Sequence, residues 1–411
     1  MLPRVKIDFD NGALESVVPT ADGTFGLIAH ADEVTFNSVK TFELNKAYVL
    51  KRTKDLAKLG IVSGAGNHRL YKTVTEFYRE AGEGTELWLM GMAKATKVSD
   101  WFKPVAGVTP AETLLDTAKG KLRAILTSFT APTGFTPTLV NGLDTDVMEA
   151  ASHAQTLAEN YTAKKYAPFM VFLEGVGFDG NVGTLADLNQ SGFNRVGILI
   201  GDTEPKTAAN GDTHYGAAIG VLAGRAAKVQ VHVNIARVRD GATSNLKAFV
   251  LDEPAELFDG ESLHDKGFIT FRFHQGKAGY FFTDDPLATS FEDDYKYITR
   301  RRTIDKAFRI AYGTLVNYLL EEVPVTGDGT VSRPFLKAME SDVESTIAGS
   351  MTANGELSAD VNDKDDKGVI CFIDPNQKIV ANSTLEVVVR VRPHGYARFI
   401  DVLLGFQFQT A

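Results

Sequence analysis

Pro168-Phe-Met-Val-Phe-Leu-Glu174 is an apolar run of strand length, closed at one end by a proline and at the other by Gly175. It shows no polar alternation, so both its faces should be buried, as in a parallel sheet covered by helices on two sides. The neighbouring segments repeat the theme. Upstream lie a strand at 121–127 and a helix at 145–162; downstream lie a loop-helix segment at 175–193, a strand at 195–200, a helix at 213–228 and a strand at 229–235. Strands alternating with helices predict an α/β region with a mainly parallel sheet, spanning 110–325.

Towards the N-terminus, Thr24–His30 and Ala47–Leu50 read as short strands and 53–59 as a short helix. Residues 67–81 place Leu70, Val74, Phe77 and Tyr78 on one helical face, and Gly82 supplies the stop. Residues 86–92 form another apolar strand, and Pro104, Gly107 and Pro110 mark a hinge, so 23–100 is expected to be a module of its own. Further on, 267–283 reads as a hairpin turned near Gln275-Gly276, 304–323 as a long helix, and 325–331 as a turn on Gly327-Asp328-Gly329. A helix at 334–351, a polar loop at 360–367 and strands at 369–374, 384–392 and 398–408 make a C-terminal α+β domain, 331–411.

Both ends of the chain read as strands. Val5, Ile7 and Phe9 alternate with Lys6 and Asp8 before an Asn11-Gly12 turn, within an arm at 1–22. Ile400, Val402, Leu404, Phe406 and Phe408 form a second stripe, opposed by Asp401, Gln407 and Gln409. Period-2 apolar patterning means a half-buried strand, and an unpaired strand edge recruits a partner. Such strands either close a sheet in their own chain or are donated to neighbouring subunits, which makes a polymer.

A net charge of −9 argues against a nucleic-acid or anionic-membrane partner, since both need a basic surface. The cluster Arg300-Arg301-Arg302 is expected to be a solvated face or a contact with an acidic neighbour. The single cysteine, Cys371, permits no intrachain disulfide and reads as a small buried hydrophobe. The N-terminus lacks the apolar core of a signal peptide and no apolar run reaches the length of a membrane span, so the chain is expected to be made in the cytoplasm and to stay soluble until it assembles.

One motif points to chemistry. Gly175-Val-Gly177-Phe-Asp-Gly180 matches G-x-G-x-x-G directly after a strand, and Asp202 stands 22 residues beyond it, near the spacing of an acid that holds an NAD ribose. An NAD-dependent oxidoreductase is therefore the alternative function. Against it, the motif lies in mid-chain and the segment after it carries Gly183 and Gly192, so a glycine-rich turn is the expectation. His30, His68, His153, His214, His232, His264, His274 and His394 show no zinc spacing, and no nucleophile elbow exists for His214 beside Asp212. Asp363, Asp365, Gly368 and Asp374 lack the terminal glutamate of a calcium loop, and Lys367 takes a ligand position. Gly216, Gly220 and Gly224 bare one helix face, expected to pack closely on the sheet. No catalytic residue, cofactor or metal is expected.

The order of segments resembles the sheath protein of contractile bacteriophage tails and related contractile injection systems. Gly23-Thr-Phe-Gly-Leu-Ile-Ala-His30 is similar to the strand that follows the N-terminal arm there. Tyr71-Lys-Thr-Val-Thr-Glu-Phe-Tyr78 through Gly84-Thr-Glu-Leu-Trp-Leu-Met90 resembles its helix–glycine–strand unit. Gly216-Ala-Ala-Ile-Gly-Val-Leu-Ala-Gly-Arg225 resembles the small-residue helix of a central subtilisin-like domain, and Leu385–Val391, Arg392-Pro393 and Phe399–Phe406 the closing strands. The resemblance implies a subtilisin-like sheet without a catalytic triad and a subunit forming hexameric rings stacked into a helical sheath. Its implied partners are a tail tube, a baseplate and a terminator, and its place is a virion tail or injection particle assembled in the bacterial cytoplasm. Another phage structural protein, of baseplate or capsid, is a further alternative. The resemblance also places a tube-facing helix at 334–351, carrying Lys337, Glu340, Asp342 and Glu344.

Overall fold

The structure, a computed structural model, describes residues 21–103, 107–207 and 213–406. The expected strand at 5–9, with Val5, Ile7 and Phe9, and the last stripe residue Phe408 lie outside the described residues. The chain divides into two compact units between Tyr312 and Gly313.

The first unit is built on a six-stranded sheet of β1 (Phe25–His30), β2 (Ala47–Leu50), β3 (Leu87–Met92), β4 (Ala124–Ser128), β5 (Met170–Glu174) and β6 (Val196–Leu199), in the order β6-β5-β4-β1-β3-β2. All neighbours are parallel except β2, which runs antiparallel to β3 at the edge. β1, β4 and β5 are buried along their whole length, as their unbroken apolar sequences require. Helices cover both faces. On one side α1 (His68–Ala81) and α4 (Ile219–Lys228) bury Leu70, Val74, Phe77, Ile219 and Leu222 against Leu27, Leu89, Leu126 and Phe172. On the other, α2 (Pro110–Thr117) and α3 (Thr145–Lys165) pack Leu114, Leu115, Ala150 and Ala154 against Ile28, Ile125, Val171 and Ile198. The order of strands puts β1 between β3 and β4, so the hinge expected within 98–112 does not divide two sheets.

Several local readings differ from the structure. The helix expected over 304–323 spans Ile298–Leu315, and Arg301 and Arg302, expected on a solvated face or against an acidic neighbour, are buried, Arg301 against Asp305. The helix expected over 213–228 starts at Ile219, because Ala217 gives its N–H to the Glu174 carboxylate and Gly216 lies flat against that carboxylate and Arg69. The strand expected at 229–235 is a series of turns instead. Val231, Val233 and Ile235 are buried, but Val233 N–H donates to the Gln230 carbonyl and Ala236 N–H to the Asn234 side chain.

Most of α5 (Ile298–Leu315) belongs to the first unit; in the second, α6 (Arg333–Ser350) packs on an antiparallel hairpin, β7 (Val369–Ile373) and β8 (Val387–Val391). Val331, Leu336, Met339 and Ile373 form its core, with Val343 and Ile347 also buried. The strand expected over 398–408 is absent from 398–406, which joins no ladder; Ile400, Val402, Leu404 and Phe406 are exposed, Leu404 and Phe406 by more than nine-tenths.

Candidate functional site

The carboxyl ends of β5 and β6 are where open α/β sheets place ligands. Here that position is filled by charges. Arg69, in the first turn of α1, donates from Nη1 to Asp202 Oδ2 at 2.5 Å and from Nη2 to Glu174 Oε1 at 3.1 Å. Lys72, three residues on and therefore on the same face, reaches Asp202 Oδ1 at 2.5 Å and Glu76 at 2.7 Å. Glu174 also accepts from the backbone N–H groups of Phe129 and Ala217. Burial opposes the charge of Asp202, but Arg69 and Lys72 outweigh it and hold the carboxyl down to about 2. Burial dominates at Glu174 and pushes it up to about 7, against the Arg69 charge.

This arrangement weighs against a dinucleotide reading of the glycine motif. Asp202 is buried and already accepts from Arg69, Lys72 and the Thr203 N–H, which turns it away from an incoming ribose hydroxyl. The loop after β5 leads to a single turn, Val182–Thr184, where a pyrophosphate site needs a helix N-terminus. The cavity among Gly175, Gly177, Phe178, Gly201, Asp202 and His214 is about 30 Å³, room for about one water, against several hundred for a cofactor site. The glycines serve packing instead: a Cβ on Gly175 would lie 2.6 Å from Ile200, and Gly177 holds φ +80°. The charge cluster has a sequence signal that pattern reading passed over. Arg69, Lys72, Glu76 and Glu80 recur at helical spacing beside the apolar stripe of α1, and all four are buried. Among the described residues no group of three or more His, Cys, Asp or Glu could hold a metal ion.

The second unit brings together the other expected residues. Glu340 and Glu344, read as neighbours on one face of α6, turn onto β7: Ile373 N–H donates to Glu340 at 2.8 Å and Cys371 N–H to Glu344 at 2.9 Å. Lys337 pairs with Glu340 at 2.5 Å, its side chain three-quarters exposed, and Asp342 accepts from Tyr318 Oη at 3.0 Å on the outer surface. One hairpin face rests on α6 through Val369, Cys371 and Ile373; the opposite face exposes Ile370, Phe372 and Val388. The helix supports one face of this two-stranded sheet, and the other face leaves an apolar surface open to solvent. The exposed stripe at 398–406 and this unfinished hairpin are the candidate functional surface.

The fold is that of chains in sheath and baseplate structures of contractile injection systems. A chain of the anti-feeding prophage baseplate, in a six-fold symmetrised cryo-EM structure, matches with a TM-score of 0.62 at 14% identity, covering 99% of each chain. A chain of the PVC sheath complex, an extracellular contractile injection system in its contracted state, matches at 0.59 and 13%, covering 98% of this chain and 97% of its own. The contracted helical sheath of the anti-feeding prophage matches at 0.59 and 14%, covering 98% and 99%. No curated protein matches the sequence. Residues 2–286 match the profile described as DUF2586, N-terminal domain, and residues 294–411 that of DUF2586, C-terminal domain. The chain belongs to the DUF2586 family.

Proposed function

We propose that this chain is a structural, non-enzymatic subunit of a contractile sheath, polymerising helically around a tail tube by strand exchange and contracting to drive the tube through a cell envelope. The observation that carries the reading is the stripe Ile400, Val402, Leu404 and Phe406, exposed and outside any ladder in a chain whose fold likeness to sheath structures runs nearly end to end. Apolar side chains in such a row are stabilised only when a second surface covers them, and strand addition to a neighbour's β7–β8 hairpin covers them and satisfies the backbone. The N-terminal strand at 5–9 is assigned the same role. Tethers of this kind hold subunits together while rigid bodies rotate, which contraction between two packings requires.

The partners follow from the reading: copies of this chain in stacked hexameric rings, a tube protein, and baseplate and terminator proteins, in a virion tail or injection particle assembled in the bacterial cytoplasm. The subtilisin-like character of the sheet belongs to it as well. The tube-facing role of α6 stays within it, with Lys337 and Asp342 on the outer surface and Glu340 and Glu344 also committed to β7. Likeness to a baseplate chain favours a second reading, a sheath-fold subunit confined to the baseplate. Negative-stain imaging of the purified full chain tests both. Long striated tubes support the sheath, single rings the baseplate subunit, and a monodisperse monomer at roughly 50 μM, well above the Kd of a stable interface, overturns both.

A further inference from the structure

The two edges of the β7–β8 hairpin are not equivalent. In an antiparallel pair, residues directly opposite alternate between bonded and non-bonded pairs. Arg392 N–H donates to the Gly368 carbonyl, which makes 368 and 392 a bonded pair and fixes the alternation. Cys371 and Ile373, opposite Val389 and Val387, therefore turn their backbone groups outward, and so do Val387, Val389 and Val391 on β8. On β7 two of those outward N–H groups are already taken, by Glu344 and Glu340. The spacing makes this possible: four residues of helix advance about 6 Å, and two residues of strand about 6.6 Å. Two carboxylates one helical turn apart thus meet alternate amides of one strand. No described residue covers the outward edge of β8.

We infer that Glu340 and Glu344 close the β7 edge to strand addition, so that the incoming strand, residues 398–406 of a second copy of this chain, adds to β8 alone. The inference rests on the strand-exchange reading above and names its accepting edge. A carboxylate bonded to a backbone N–H competes directly with an incoming carbonyl, and its charge repels that carbonyl. Among the described residues no carboxylate guards the outward amides of β8, and its exposed Val388 extends the apolar surface that the stripe would cover.

Hydrogen exchange followed by mass spectrometry, on the full chain as soluble subunit and as pelleted polymer, tests this. The 385–392 segment is expected to slow by at least about tenfold on assembly, while 370–373 is slow in both states. A gain on 370–373 with none on 385–392 overturns the edge assignment and leaves strand exchange standing. A polymer that protects neither segment overturns both. Proline scanning gives an independent readout, because proline at an outward position removes only the outer donor. V389P should abolish pelletable polymer with an unchanged circular dichroism spectrum, and C371P should leave it. The reverse pattern would assign the accepting edge to β7.

Discussion

Glu174 sits in an enclosed site with two cations, Arg69 and Lys72, and two other carboxylates, Asp202 and Glu76, so negative charge is in excess there. Burial raises its carboxyl to about 7, above the ordinary value of 4.5. An acid raised on folding binds its proton more tightly in the native state, so its contribution is full below pH 4.5 and is lost as pH climbs through about 7. The span is worth up to about 3 kcal/mol. Glu174→Gln should therefore flatten the fall in melting temperature between pH 5 and pH 8 seen by calorimetry; parallel curves for the two proteins would show that Glu174 does not titrate there. Cys371 makes a second case. Burial, with Glu340 and Glu344 close by, pushes its thiol up to about 11. Since only the thiolate is nucleophilic, iodoacetamide at pH 8 should label the folded chain at least about 100-fold more slowly than the chain in urea. Comparable rates would mean that the thiol is open to solvent as thiolate.

At the scale of elements, the contact between α1 and α4 is backbone against backbone. A Cβ on Gly220 would lie 2.2 Å from the Thr73 carbonyl oxygen, and one on Gly224 2.6 Å from that of Phe77. The glycine face was read as packing on the sheet, and its partner is a helix. Two effects compete at Gly220. Alanine gains about 1 kcal/mol of helix propensity, but overpacking against a rigid carbonyl costs about 1–3 kcal/mol, and the helices must separate. Packing wins, so Gly220→Ala should lower stability in urea unfolding; a rise would mean that α4 shifts at little cost. Helix periods and caps were legible locally. Asp144, the residue before the first turn of α3, caps it, its side chain accepting from Asp146 N–H. The false strand at 229–235 shares its alternation with real strands, and only the turn bonds of Gln230 and Asn234 tell them apart.

For the whole molecule, the question is what the exposed stripe does for a single subunit. Replacing Ile400, Val402 and Leu404 together by aspartate should leave the monomer's melting within about 0.5 kcal/mol of stability, because these side chains touch solvent. The same variant should form no tubes under the electron microscope, since three charges cannot be buried under a neighbour. Tubes of normal diameter would remove the stripe from the assembly. A large loss of monomer stability would instead make 398–406 part of its own subunit's core.

The alternation of apolar strands and amphipathic helices, and with it the parallel sheet covered on both faces, was written in local sequence, because burial on two faces imposes a composition that any short window reveals. The two strands of the C-terminal hairpin were legible from their period-2 alternation, whereas the strand expected over 398–408 forms no ladder over its described residues, 398–406. Which strands are neighbours was not: β1 stands at the centre of the sheet between strands that follow it by about 60 and 100 residues, and no local pattern encodes that. Nor could the sequence say that Asp202 would be neutralised by Arg69 and Lys72, or that Glu340 and Glu344 would turn onto β7. A carboxylate looks the same in sequence whether it meets water, a sugar, an arginine or a backbone amide. Its partner is chosen by long-range packing, and only the tertiary structure brings that partner within hydrogen-bond reach.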